Sequence, residues 1–439
     1  MRIAYLPFIA LLASVALAQE VPHAFVGAEI IPIEGPTIMR GTLLVHEGRI
    51  VALGATDEVD VPPGAVTVDA TGRIIMPGLI CTHSHVGGIG GADRSGTIQP
   101  EIRIHDSIDV RDAGFRRAVA GGLTTLNIMP GSGHLISGQT IYVKLRRAER
   151  IDDLLIHDDD GWLMGGLKMA NGTNPMRVDG RIAFSGTRGR AAAMVRQQFV
   201  RAQEYRDRVA AARDDASKRP PRDLALEALV EAMDGKRMVH HHTHRHDDIV
   251  TVLRLADEFG FRVVLHHVSE GWRVAEEIAA ADVPCSIILV DSPGGKLEAL
   301  HLIFETGGVL ERAGVRVAFH TDDYITDSRL FFRMAALAVR AGMSRDAALA
   351  ALTIEGARML DLDPRIGSLA PGKDADFIIL SGDPLSVYTK VLQTWVEGEL
   401  VFDRSDPEDR LHAVGGFGAG HDIRPYLCCQ DILNAGGAQ

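Results

Sequence analysis

Residues 74–85 read Ile-Ile-Met-Pro-Gly-Leu-Ile-Cys-Thr-His-Ser-His. An apolar run this short, from Ile74 to Cys81, followed at once by two histidines in alternation, reads as a buried strand that carries polar chemistry at its C-terminal end. Downstream the chain repeats the theme. Short apolar runs occur at Thr124 to Met129, Ile141 to Leu145, Leu163 to Met169, Met238 to His242, Arg262 to His266, Pro284 to Leu289 and Arg316 to His320, with helical stretches between them. Eight β segments alternating with helices predict a (β/α)8 barrel of the TIM type.

On both sides of this region the pattern is different. From Ala24 to Val68 the segments are short, alternating and broken by Gly and Pro, as in Gly41-Thr-Leu-Leu-Val-His46 and Arg49-Ile-Val-Ala-Leu-Gly54. The same texture returns after Gly367, in Asp376 to Leu380, Leu392 to Val396 and Leu400 to Phe402. Both ends therefore read as strands of one small β domain. The predicted architecture is α/β, a (β/α)8 barrel inserted in a small β-sandwich built from both chain ends. Its expected boundaries are 19–72 and 367–412 for the β domain, 73–366 for the barrel and 413–439 for a tail. Between the fourth and fifth runs lies an insertion with helices at Gly189 to Arg213 and Leu224 to Met233, read as solvated decoration.

The 439 residues carry 46 Lys+Arg against 58 Asp+Glu, a formal net charge of −12. An acidic balance excludes nucleic acid and anionic membrane as partners, since both demand a basic face, and leaves a small-molecule substrate. The chain opens Met1-Arg2, then an apolar run to Ala18 ending Ala16-Leu17-Ala18. One basic residue, a hydrophobic stretch and an A-x-A site read as a leader over 1–18 and predict an exported, periplasmic or secreted protein with no membrane span after cleavage. Cys81, Cys285, Cys428 and Cys429 are too few for a disulfide scaffold.

Eighteen histidines are present, and they cluster: His83 and His85, then His240, His241, His242, His244 and His246, then His266 and His267. Neutral imidazole is the commonest metal ligand. In a barrel, active-site residues sit at the C-terminal ends of the strands. The His83–His85 pair follows the first run, His242 ends the fifth, His266 and His267 end the sixth, and Asp322-Asp323 follow the eighth. Residues two apart on a strand share a face, so His240, His242 and His244 point one way and His241 the other. Of His266 and His267, alternation predicts that one faces the barrel axis. For the substrate, His134 lies in the loop after the second run and His244 on the ligand face. Arg245 offers a fork to a carboxylate, with Arg188 and Arg329 as further arginines.

At Met76 to His85, Gly121-Gly-Leu-Thr-Thr125, His242-Thr-His-Arg245, His320-Thr-Asp-Asp323 and Gly367 to Asp376, the chain resembles the amidohydrolase superfamily, in its imidazolonepropionase-like and prolidase-like branch. The resemblance implies one or two divalent ions, zinc first, with Mn, Co or Fe as alternatives. It implies His83, His85, His242, His267 and Asp322 as ligands and Lys168 as a carboxylated bridge, with Lys144 as the fallback. Asp322 would also be the catalytic proton carrier for a metal-activated hydroxide that attacks a C–N bond in an amide, cyclic amide, N-acyl amino acid or dipeptide. It further implies a homo-oligomer. Two alternatives stand beside it. One is a one-metal deaminase of the same superfamily, which would carry Glu where position 245 is Arg. The other is a non-catalytic, metal-stabilised binding protein of the cell envelope.

Overall fold

The computed structural model describes residues 21–87, 93, 95–176, 186–213, 215–289, 296–323 and 325–415. The leader over 1–18 and the pair Cys428-Cys429 lie outside the described residues. Among the described residues, no helix is long and apolar enough to cross a membrane.

The chain folds as a mixed α/β structure. Strands from both ends form one hydrogen-bonded sheet: His23–Ile30, Ile38–His46, Arg49–Ala55, Val66–Asp69 and Ile74–Pro77 from the first part, Phe377–Leu380, Val391–Val396 and Glu399–Asp403 from the second. The seam is antiparallel, with Ile75 opposite Ile379. Over it pack Phe25, Phe377 and Trp395, with Phe25 and Phe377 edge to face at 4.9 Å and Phe377 stacked on Trp395 at 5.6 Å. These rings pack with Ile30, Leu43, Val45, Ile50 and Ile75 in the core of the sheet.

The apolar run 74–81 is not one strand. It divides at Gly78, giving Ile74–Pro77 to the small sheet and Leu79–Ser84 to the centre. A Cβ at Gly78 would lie 2.2 Å from the Thr124 side chain, so only glycine permits the crossing there.

Parallel strands Leu167–Ala170, Val239–Thr243, Val263–His267, Cys285–Ile287 and Val317–Phe319 pair in that order. Leu79–Ser84 and Leu123–Ile128 are parallel in a second sheet. The third run departs from expectation. Ile136–Gln139 pairs antiparallel with Leu167–Ala170 and Ile141–Lys144 antiparallel with Leu123–Ile128, so this segment runs against its neighbours. An antiparallel strand needs no helical crossover, which is why no helix stands between the second and third runs. Among the described residues no ladder joins Val317–Phe319 to Leu79–Ser84. The two edges meet instead where the Asp322 N–H donates to the His83 carbonyl at 3.0 Å.

The insertion helices occur as expected, at Arg188–Ala212 and Leu224–Met233, capped by the side chains of Thr187 and Asp223. They are not a solvated decoration. Phe199 is fully buried and stacks between Phe259 and Phe261 at 5.1 and 5.0 Å, locking the long helix to the central layer.

Candidate metal centre

Buried histidines and one aspartate converge at the C-terminal ends of the central strands. Three groups have ligand-type atoms all within 4.8 Å of one another: His83, His85 and Asp322; His242, His244 and His267; His83, His266 and His320. In the first, His83 Nε2 lies 3.3 Å from His85 Nε2 and 3.3 Å from Asp322 Oδ1, and His85 Nε2 lies 3.0 Å from that oxygen. Lys168, fully buried on the strand Leu167–Ala170, brings Nζ to 3.1 Å from His83 Nε2. Lys144 does not compete for this role. Its ammonium is enclosed by Asp374, Asp376 at 3.0 Å and Glu397 at 3.2 Å, carboxylates of the segment that returns to the small sheet.

Strand geometry explains most of the placement. His240, His242 and His244 share a face, as alternation requires. His240 reaches down to His266 Nε2 at 3.0 Å and to the Tyr142 hydroxyl at 3.0 Å, while His242 and His244 reach the metal-type group. His266 and His267 break the rule, because both face inward. His267 has φ +73° and Val268 φ +50°, so the chain leaves extended geometry there and two consecutive side chains no longer point opposite ways. Asp322, at φ +48°, turns likewise. Its neighbour Asp323 serves packing: its carboxylate accepts from Ser84 Oγ at 2.9 Å, Thr321 Oγ1 at 2.5 Å and Ser328 Oγ at 2.7 Å.

The donor set fits divalent cations. His83 Nδ1, His242 Nδ1, His244 Nε2, His266 Nδ1 and His267 Nε2 are buried and carry no hydrogen bond. Unpaired buried nitrogens cost free energy unless something binds them. The outer hydrogen bonds also favour metal-ready tautomers. His320 Nδ1 lies 2.7 Å from Ser286 Oγ, and its Nε2 lies 3.3 Å from His267 Nδ1. With His320 Nδ1–H donating to Ser286 and His267 Nδ1–H donating to His320, the His267 Nε2 lone pair faces the site.

Electrostatics keeps these rings neutral. Burial, and after it the Lys168 charge, pushes His83 well below the usual histidine range. Burial also lowers His242, His244, His266 and His267, and brings His240 and His320 down to about 3. His85 moves upward: burial opposes its charge, but the Asp322 carboxylate outweighs burial. Asp322 is correspondingly lowered, because the His85 contact overcomes its own desolvation. The Lys296 ammonium acts on His242, His244, His267 and Asp322 alike. Its loop position left no sequence signal for that.

Of the residues singled out from sequence, His83, His85, Lys168, His242, His267 and Asp322 come together here. His244 lies with His242 and His267 in one group. His134 is buried beside Leu135 but belongs to none of the three groups. The three arginines are held by carboxylates: Arg245 on Asp247 at 3.0 and 2.9 Å, Arg188 on Asp248 at 2.8 Å and Arg329 on Asp327. His266 and His320 were missed as members, His266 because of the backbone turn at His267.

Residues 173–402 match the profile of the Amidohydrolase family. The structure superposes on an amidohydrolase from Thermotoga maritima with a TM-score of 0.80 and 31% identity, covering 87% of this chain and 100% of that one. In sequence, the chain is 28% identical to the amidohydrolase tasK of Hapsidospora irregularis over 85% of its own length, and it spans 41% of that longer relative. It is 24% identical to a 5-methylthioadenosine/S-adenosylhomocysteine deaminase of Symbiobacterium thermophilum, over 86% of this chain and 92% of the relative. Profile, superposition and the buried ligand set agree, and the chain belongs to the amidohydrolase family.

Proposed function

We propose that the protein is a metal-dependent hydrolase of a carbon–nitrogen bond in a small amide, cyclic amide, N-acyl amino acid or dipeptide, working from a (β/α)8 framework. The observation that carries this reading is the meeting of His83, His85 and Asp322 within 3.3 Å of one another, with Lys168 Nζ 3.1 Å from His83 Nε2 and the His242, His244 and His267 group beside them. His83, His85 and Asp322 would hold one divalent ion and His242 and His267 a second, with zinc the first choice and Mn, Co or Fe the alternatives. Lys168, carboxylated on Nζ, would supply anionic oxygen donors beside them. When bound, such ions polarise the scissile carbonyl and lower the pKa of water.

The chain's own residues do the rest. Asp322 is ionised and anchored through Oδ1 to His83 and His85. Its other oxygen, Oδ2, takes the proton as the water oxygen bonds to the carbonyl carbon, then gives it to the nitrogen as the C–N bond breaks. Burial of the imidazoles excludes bulk water from this exchange.

Deamination is the weaker reading. The superfamily's deaminases use a Glu three residues after the strand-five histidine. Arg245 stands there, and Glu270 is committed to the backbone and ring of His246 at 3.1 and 2.7 Å.

Purified protein is expected to carry one to two equivalents of divalent metal and, once loaded, to release amine from a panel of dipeptides, N-acyl amino acids and cyclic amides. Lys168→Ala should lower both metal content and turnover. Full turnover in a preparation shown by elemental analysis to be metal-free overturns the reading.

A further inference from the structure

His242, His244 and His267 form one group with ligand-type atoms within 4.8 Å of one another, and each ring keeps one buried nitrogen without a hydrogen bond, Nδ1, Nε2 and Nε2 respectively. The three rings pack closely, with centroids 4.6 Å apart for His242–His244, 4.3 Å for His242–His267 and 4.9 Å for His244–His267. Each ring is held from behind by its other nitrogen. His244 Nδ1 lies 2.7 Å from Ser269 Oγ and His267 Nδ1 lies 3.3 Å from His320 Nε2. His242 Nε2 lies 3.2 Å from the Asn174 side-chain amide. The contacting atom is Asn174 Nδ2, which also donates to Ser132 Oγ at 2.8 Å; the amide turned the other way about would accept the Nε2 proton and leave Nδ1 its lone pair.

We propose that His244 is a third imidazole ligand, making the position between the His242 and His267 strands a three-histidine site that holds its ion without Lys168. This rests on the metal-hydrolase reading above and goes beyond it. In that reading two histidines and a carbamate oxygen complete the position, so its occupancy depends on captured carbon dioxide. A third neutral imidazole removes that dependence. Three nitrogen donors suit zinc, cobalt, nickel or copper over magnesium or calcium, and they leave a fourth position for water or substrate. His244 is 6% exposed and lies two residues past His242, so the strand itself delivers the pair to one face.

The test is metal binding, read by equilibrium dialysis against buffered zinc with elemental analysis, and by the visible spectrum of the cobalt-loaded protein. Wild type, Lys168→Ala, His244→Gln and the double variant are compared, with circular dichroism to verify folding. Lys168→Ala should keep an ion that the double variant lacks, a difference of about one equivalent. His244→Gln alone should weaken one of the wild-type ions by 100-fold or more and alter the cobalt spectrum. Ser269→Ala, which leaves the ring in place but frees Nδ1, should weaken that ion by about 10- to 100-fold. Equal metal content in Lys168→Ala and the double variant, or unchanged zinc affinity with only KM raised in His244→Gln, makes His244 a substrate contact and overturns the proposal while leaving the hydrolase reading intact. Wild-type protein that binds no zinc or cobalt overturns both.

Discussion

Asp322 and Asp323 are adjacent, both acidic, both buried, and yet they do opposite things. The left-handed turn at Asp322 swings its carboxylate to His83 and His85, while Asp323 is locked by three hydroxyl donors. A composition-level reading sees only two carboxylates after a strand, and the Thr-Asp motif alone selected the first. Substitution separates them. Asp322→Asn fits the same backbone, since Asn tolerates positive φ, and should leave the melting temperature nearly unchanged while turnover falls by two to four orders of magnitude, the usual weight of a proton carrier. Asp323→Asn sets an amide donor against hydroxyls that donate, at a cost of about 1–3 kcal/mol of stability. Its turnover should stay closer to wild type. Thermal melts and steady-state kinetics on both variants check this, and the reverse pattern would exchange the two roles. The same contrast marks the limit of alternation. It placed His240, His242 and His244 correctly because that strand is regular. It failed at His266 and His267, where φ turns positive, a property of the backbone that these side chains do not announce.

At the scale of the element, Lys144 shows why spacing alone left two lysines open. It lies on a strand that runs antiparallel to its neighbours, so its position along the strand places it at the far end from the histidines. There it joins Arg146, Arg365 and Arg49 in holding Asp374, Asp376 and Glu397. The parallel-strand expectation had no means of reversing it. Around Glu397, burial opposes ionisation, but the Arg146 hydrogen bonds and the Lys144 charge prevail and bring its carboxyl down from 4.5 to about 2. A carboxyl depressed in the folded state binds fewer protons there than in the unfolded chain. Its contribution to stability is therefore present above pH 4.5 and is lost as pH falls from about 4.5 to 2. Urea midpoints measured across that range should fall with pH in the wild type. Lys144→Met takes from buried Asp376 its ion-pair partner, leaves Asp374 and Glu397 to their arginines, and should lose about 3–5 kcal/mol at neutral pH. Part of that loss should be recovered toward pH 4 as Asp376, whose carboxyl burial pushes up, takes a proton. A variant whose midpoint falls in parallel with the wild type would show that Lys144 is not the counter-charge of Asp376.

For the whole molecule, the texture of the sequence was enough to join its two ends. Short alternating segments before Arg73 and after Gly367 became one sheet, because their apolar faces have nowhere else to go. The exact crossing point at Gly78 was not legible, since Ile74 to Cys81 is uniformly apolar and both sheets bury it fully. This connectivity ties the sheet to the metal-type centre: Ile74–Pro77 pairs with Phe377–Leu380, and Gly78 alone separates it from the strand that carries His83. Loss of the seam should therefore loosen the histidines as well. Phe377→Ala removes a ring packed against both Phe25 and Trp395, a change that costs about 3–5 kcal/mol in a core. With Trp162 and Trp272 replaced by Phe, Trp395 is the one remaining tryptophan of the chain's three and reports the small sheet by fluorescence. Helical circular dichroism reports the central layer. In urea the two midpoints should coincide in the wild-type background and shift together on Phe377→Ala, as a single cooperative unit requires. A fluorescence transition that moves alone would mean that the sheet unfolds independently, and that the histidine cluster is held by the central strands without it.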